Sequence, residues 1–167
     1  MYKRSFVLFL SYFNRNYDYF ECHEVLEEHW KDVAPGVRDH ELVGFIQLAT
    51  GMYHWRRQNF VGAHRILMKA QKHLHAHPSS TYYSGLSMEQ LFIDLQRAIE
   101  QTAKKQSFTN FHLCITDSAL QQLVDEEVLP SLSADFIQNK HRLRDRQDII
   151  QERLDNLSIR QKARQST

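Results

Sequence analysis

The chain has 167 residues, of which 42% are hydrophobic and 25% charged, and its formal net charge is +1. This composition is typical of a folded globular protein, and the balanced charge gives no electrostatic reason to expect a nucleic acid or an anionic membrane as a partner. The chain contains only 5 glycines and 3 prolines, which favours an all-α, multihelical bundle over a fold of many short strands.

Helices are predicted over four segments in the first half of the chain: 5–13, 18–33, 38–58 and 60–75. Asp18 followed three residues later by Glu21 is a variant of the capping box, and Pro35 ends the same helix. Asn59 is a suitable N-cap for the fourth helix. The polar residues 14–16 are expected to form a loop between the first two helices.

The second half of the chain has one segment with strand character. Apolar and polar residues alternate in it, but no second strand is predicted, so we expect only a short extended segment near 108–116 that lies on helices. Helices are predicted on either side of this segment, over 87–105 with a capping box at Ser87 and over 117–128 with a cap at Asp117 or Ser118.

A long polar helix is predicted from Ser133 to about Gln165. Its apolar residues recur at intervals of seven: Phe136, Leu143, Ile150 and Leu157, joined by Leu154. Such a narrow stripe indicates contact with another helix, either within the chain or in a partner protein or second copy, and both alternatives stay open. Its basic residues are offset by acidic ones, so nucleic acid is not expected. We expect a helical core domain over 1–106 and a C-terminal extension over 107–167.

The cysteines and the apolar runs bear on the cellular compartment. Cys22 and Cys114 form neither a disulfide framework nor a metal-binding spacing, as expected of free thiols in a reducing compartment. The apolar run 6–10 is too short for the core of a signal peptide, and no run approaches the roughly 20 residues that span a bilayer. We therefore expect a cytoplasmic protein with no membrane partner.

Two polar residues of the second helix share one face. His23 and Glu27 are four positions apart, and Phe20 and Trp30 flank them on the same side. Because such large aromatic residues bury most of their surface, we expect this strip to face the core. A buried carboxylate is costly unless it is paired or bound to a metal, so Glu27 needs a partner.

The third helix supplies candidates for that partner. Gln47 and His54 are seven positions apart on one face, with Gly51 between them. Two facing helices would bring these side chains to His23 and Glu27. The nitrogen and oxygen atoms of the resulting set suit one divalent metal ion.

Residues 23–27, His-Glu-Val-Leu-Glu, are similar to the H-E-x-x-H helix of zinc proteases, with Glu in place of the second His. By that logic His23, Glu27 and His54 would be metal ligands and Glu24 the catalytic base, with Gln47 and Trp30 as further polar residues of the site. The alternative is a structural polar network that fixes the register of two helices.

Other polar residues are given simpler interpretations. Glu21 and Glu28 are expected on the solvated surface, and Cys22 as a small core residue. His73 and His77, four positions apart, have the spacing of a second candidate pair of metal ligands. Histidines at a helix C-terminus also interact with the helix dipole and the last carbonyls, and this is the simpler interpretation.

Residues 19–30, 44–49 and 59–63, together with His54, resemble in order and spacing the domain of unknown function 309 (DUF309) family. Segment 108–123 is similar to the longer members of that family, which carry a C-terminal extension. The resemblance implies an all-helical bundle and a predicted metal-dependent hydrolase, whose polar positions fall here on His23, Glu24, Glu27, Gln47 and His54.

Two functional hypotheses follow. The first is a metal-dependent hydrolase with one divalent metal ion between two core helices, and no nucleotide or organic cofactor is indicated. The second is a non-enzymatic scaffold or protein-interaction module whose His/Glu strip is structural. An enzyme should show an open coordination position in a cleft, whereas a scaffold should show a dry, mutually satisfied network.

Overall fold

A computed structural model describes residues 2–143 of the chain, and the side chains of residues 2–140. This part contains seven α-helices: α1 (Arg4–Ser11), α2 (Tyr19–Val33), α3 (Leu42–Arg56), α4 (Phe60–Ala76), α5 (Met88–Ala103), α6 (Ser118–Glu126) and α7 (Ala134–Leu143). It contains no named strand, so the all-α prediction is confirmed. Within residues 2–143, no helix combines the length and the apolar character needed to cross a membrane.

Side-chain caps start four of the first six helices. Asp18, Asn59 and Ser87 each accept a hydrogen bond from the backbone N–H three residues later, at 3.1, 3.1 and 3.3 Å. Asp117 accepts two, from the N–H groups of the second and third residues after it. Each cap satisfies backbone donors that the first turn of a helix leaves unpaired. The predicted starts of α2, α4 and α5 are therefore confirmed, and the start of α6 is assigned to Asp117.

The predicted loop at 14–16 is wrong, because Tyr12–Asn16 continues α1 as a π-helical turn that ends at Tyr17, whose φ is 55°. Asn14 makes two hydrogen bonds of 2.9 Å with the backbone of Leu113: its Nδ2 donates to the carbonyl oxygen, and its Oδ1 accepts from the N–H. Asn14 and Leu113 are 99 positions apart in the sequence. The local sequence therefore could not indicate that Asn14 has a partner outside its own turn.

The core forms around α3, which packs most extensively against α4 and then against α2. Gly44 and Gly51 allow the close approach of α4, since a Cβ on either would meet Leu74 or Leu67 at 2.5–2.8 Å. The helix begins at Leu42, four residues later than predicted. It ends next to the start of α2, where Arg56 donates a 2.6 Å hydrogen bond to the carbonyl oxygen of Tyr17.

Residues 107–116 form the predicted extended segment, in which an isolated antiparallel bridge joins Ile115 to Leu86. Leu113, Leu120 and Val124 are buried in the same core as the first five helices. The division into a domain over 1–106 and an extension over 107–167 stays a prediction, but buried side chains from both parts share one core.

The described part of the predicted C-terminal helix is α7, which packs against α2. Its buried residue is Ile137, whereas Phe136, the expected first member of the stripe, is 37% exposed. Lys140 Nζ lies 2.9 Å from Asp18 Oδ2 and 2.6 Å from Glu21 Oε1. The rest of the predicted helix, with Ile150, Leu154 and Leu157, lies outside the described residues.

Candidate metal centre

Helix α2 presents its polar site at the edge of the core. Its buried residues are Tyr19, Cys22 and Leu26. Cys22 and Leu26 lie three and seven positions after Tyr19, on the same face of the helix. His23 and Glu27 each follow a buried residue and are rotated from it by roughly 100°. The side chains of His23 and Glu27 are accordingly 31% and 33% exposed. The expectation that they face the core is therefore wrong.

The aromatic residues explain this difference. Phe20 and Trp30 pack on the core while remaining partly exposed, so they mark its border instead of its interior. The Trp30 indole N–H donates a 2.8 Å hydrogen bond to the carbonyl oxygen of Val37, in the connection between α2 and α3. Trp30 was predicted as a polar residue of the site. Its hydrogen bond holds the connecting loop against α2.

Three predicted site residues come together on α2. The Nδ1 atom of His23 lies 3.1 Å from Glu24 Oε1 and 3.9 Å from Glu27 Oε2. One ligand atom from each of the three side chains lies within 4.8 Å of the others. Glu27 Oε1 also lies 3.4 Å from Lys31 Nζ. Glu27 thus has the partners it requires, but they are on its own helix and not on α3.

Of the two predicted residues of α3, His54 is not part of this group in the part of the chain that the structure describes. Phe20 packs on Tyr53, and Arg56 reaches Tyr17, so α3 runs antiparallel to α2 and His54 lies near the beginning of α2. His54 Nδ1 lies 3.2 Å from Asn59 Nδ2, at the turn into α4. Gln47 lies two helical turns before His54, and its Oε1 is buried without a hydrogen-bond partner among residues 2–140.

A groove of about 590 Å³ runs beside the group, between α2 and α7. Within residues 2–140, its charged lining consists of five carboxylates and two ammonium groups: Glu21, Glu24, Glu27, Glu28, Asp32, Lys31 and Lys140. Phe20, Val25 and Phe136 supply its apolar surface. The contribution of α7 to this groove was not predicted from the sequence, although the apolar stripe that begins at Phe136 indicated contact with another helix.

The neighbours of the site on α2 differ in their surroundings. Cys22 is fully buried, and burial raises the pKa of its thiol well above the ordinary value. A protonated, enclosed thiol is a poor nucleophile, so the prediction of a core cysteine is confirmed. Glu21 is not simply solvated, because its carboxylate is paired with Lys140.

Known proteins resemble the chain in sequence. The family model described as "Domain of unknown function (DUF309)" matches residues 6–66. The "Uncharacterized protein YpuF" of Bacillus subtilis (strain 168) is 38% identical over 173 residues, covering 98% of this chain and 99% of that protein. No solved structure gives a significant match.

Proposed function

Because the chain belongs to the DUF309 family, whose name assigns no activity, we propose its function from the side chains of α2: it binds a divalent cation through His23, Glu24 and Glu27 and hydrolyses a substrate held in the adjacent groove. The observation that carries this proposal is the convergence of three ligand atoms within 4.8 Å at the edge of an open groove.

The three side chains fit a divalent cation chemically. One imidazole nitrogen and two carboxylate groups form a mixed nitrogen and oxygen ligand set, and oxygen-rich sets suit Mn²⁺. All three residues are about one-third exposed, so solvent and substrate can reach them. Three protein ligands also leave coordination positions open, as a catalytic site requires.

A divalent cation bound there would supply a water molecule of lowered pKa and would polarise a substrate carbonyl group. Glu24 lines the groove as well as belonging to the ligand group. A carboxylate has two oxygen atoms, so Glu24 would hold the cation through one oxygen and accept a proton from water through the other. Lys31 keeps the carboxylate of Glu27 oriented from one helical turn away.

The charge of the groove restricts the substrate. Among the described lining residues, five carboxylates face two ammonium groups, which leaves three negative charges on this part of the groove before a cation binds. A cleft of one sign concentrates ligands of the opposite sign and repels those of its own. We therefore expect a neutral or positively charged ester or amide as the substrate, and not a phosphate ester.

The second candidate is a non-enzymatic scaffold that binds a partner or a second copy through its C-terminal helix. It is supported by the contacts of His23 Nδ1 with Glu24 and Glu27, and by the ion pair of Glu27 with Lys31. These contacts satisfy the polar groups of α2 without any cation. In this case the groups would be surface ion pairs, each contributing at most about 1 kcal/mol to stability.

Manganese binding to the untagged full-length chain separates the two functions. During the titration, we expect no electron paramagnetic resonance signal of free Mn²⁺ until one equivalent has been bound. His23→Gln and Glu27→Gln should each weaken binding at least about tenfold, because even residues that only orient metal ligands contribute that much. Glu28→Gln is the matched control, on the same helix but outside the ligand group, and its affinity should match the wild-type value.

Activity is measured in the same preparations with chromogenic esters and amides. Turnover should require Mn²⁺ and should fall by about 10²–10⁴-fold in Glu24→Gln, the loss typical of a general base. A wild-type chain that binds no Mn²⁺, or that binds it equally well after His23→Gln, would exclude the hydrolase and leave the scaffold.

A further inference from the structure

We propose that Asp39, His73 and His77 form a second cation site, suited to Zn²⁺, which fastens the connection between α2 and α3 to the C-terminal end of α4. This site is separate from the α2 group and uses none of its residues. One ligand atom from each of these three side chains lies within 4.8 Å of the others.

The ligands come from two parts of the chain. His73 lies in the last turn of α4, and His77 is its C-cap residue. Asp39 lies in the loop before α3. Its Oδ1 atom is 3.5 Å from His77 Nε2 and 3.9 Å from His73 Nε2. The loop thus brings a carboxylate to two imidazoles that the helix has already placed together.

A hydrogen bond orients the imidazole of His77, and the ring of His73 stacks on it. The Nδ1 atom of His77 lies 3.0 Å from the carbonyl oxygen of His73. Donation of a proton from Nδ1 leaves the lone pair of Nε2 facing Asp39, which is how protein environments commonly prepare a histidine ligand. The two rings stack with their centroids 4.9 Å apart, so both nitrogen atoms approach the carboxylate from the same side.

The backbone supplies a fourth atom. His73 Nε2 lies 2.9 Å from the carbonyl oxygen of His40, to which it donates a proton in the metal-free chain. Zn²⁺ binding requires the neutral imidazole with this nitrogen unprotonated. The proton then resides on Nδ1, and the carbonyl oxygen of His40 is left beside the cation. Two imidazoles with one carboxylate are an established zinc ligand set.

Helix capping alone does not account for this arrangement. A C-terminal histidine interacts with the helix dipole and the last carbonyl groups without help from another segment. Here the loop contributes both Asp39 and the His40 carbonyl oxygen. Asp39 is the exposed member, with 88% of its side chain accessible, whereas His73 and His77 are 15% and 22% exposed. Cation binding would therefore immobilise the acidic loop residue on a histidine pair that is already enclosed.

Cobalt titration of the full-length chain tests the site, in a His23→Gln/Glu27→Gln background that removes two of the three α2 ligands. We expect one equivalent of Co²⁺ with the intense visible absorption of a four-coordinate site, displaced by Zn²⁺. Single substitutions His73→Gln, His77→Gln and Asp39→Asn should each lower the affinity at least tenfold, with an unchanged far-ultraviolet circular dichroism spectrum.

His75→Gln is the matched control. His75 lies between the two proposed ligands in sequence, but its ring stacks on Phe92 of α5 at 3.8 Å between centroids. The His75→Gln chain should bind Co²⁺ as the parent does. The proposal is overturned if the parent binds no Co²⁺, if His77→Gln binds it unchanged, or if His75→Gln weakens binding as much as His73→Gln. Failure here leaves Mn²⁺ binding at α2 unaffected, since the two sites share no residue.

Discussion

Replacing Lys140 with methionine should lower the free energy of unfolding by about 3–5 kcal/mol, because it leaves a buried carboxylate without its cationic partner. Asp18 is fully buried, and its Oδ2 lies 2.9 Å from Lys140 Nζ, itself only 14% exposed. Methionine keeps most of the apolar stem, so the change removes charge more than packing. Urea denaturation of the full-length chain measures the effect.

Two further substitutions isolate the buried pair. Asp18→Asn retains a good N-cap and, combined with Lys140→Met, should recover a large part of the loss, since neither charge then remains buried alone. Lys31→Met, at the exposed pair with Glu27, should cost less than about 1 kcal/mol. If Lys140→Met and Lys31→Met proved equally mild, the ion pair at Asp18 would have no role in stability.

The pH dependence gives the same pair a second test. Burial alone lowers the pKa of Lys140, but hydrogen bonds and charge from Glu21 and Asp18 outweigh it and raise the pKa above its ordinary value. The proton is therefore held more tightly in the folded state. This contribution is complete below the unfolded pKa of about 10.4 and is lost as pH rises through the folded value. The alkaline loss of stability should be smaller in Lys140→Met.

Trp55→Ala should lower the free energy of unfolding by about 3–5 kcal/mol, as expected for a large aromatic side chain removed from a close-packed core. Trp55 is 1% exposed. Its indole N–H donates a 2.9 Å hydrogen bond to the carbonyl oxygen of Gln106, and its ring packs edge-on against Phe108 at 5.2 Å. The substitution therefore also releases the segment that follows α5.

The controls for this substitution separate volume from polarity. Trp55→Phe keeps an aromatic ring but loses the donor, and should cost about 1–3 kcal/mol because the Gln106 carbonyl group loses its partner. Met68→Ala, at a residue that is 51% exposed, should stay within about 0.5 kcal/mol of the wild type. A Trp55→Ala chain as stable as Met68→Ala would contradict the central position of Trp55.

Local signals predicted the helices well, because the caps act over three residues. Asp18, Asn59 and Ser87 each bind a backbone N–H within the next turn, and the sequence contains all that this requires. The π-helical turn was missed because the partner of Asn14 is Leu113, on a distant segment. Contacts across such separations depend on the packing of the whole chain.

The candidate site also has some features that follow from the local sequence and others that depend on the packing of the whole chain. His23, Glu24 and Glu27 are neighbours by helical geometry, so their meeting on α2 could be predicted from spacing alone. The direction in which this face points could not be predicted from spacing, because one position along a helix changes the direction by roughly 100°. The place of His54 depends on how α2 and α3 are aligned along their axes, and this alignment is set by packing and by the loop.

The groove beside Glu24 has walls from two distant parts of the chain, and this has a consequence for the family. The segment that the family model matches, residues 6–66, includes α2 but neither Phe136 nor Lys140. A shorter relative that retains only the matched segment would keep the ligand group and lose the enclosure.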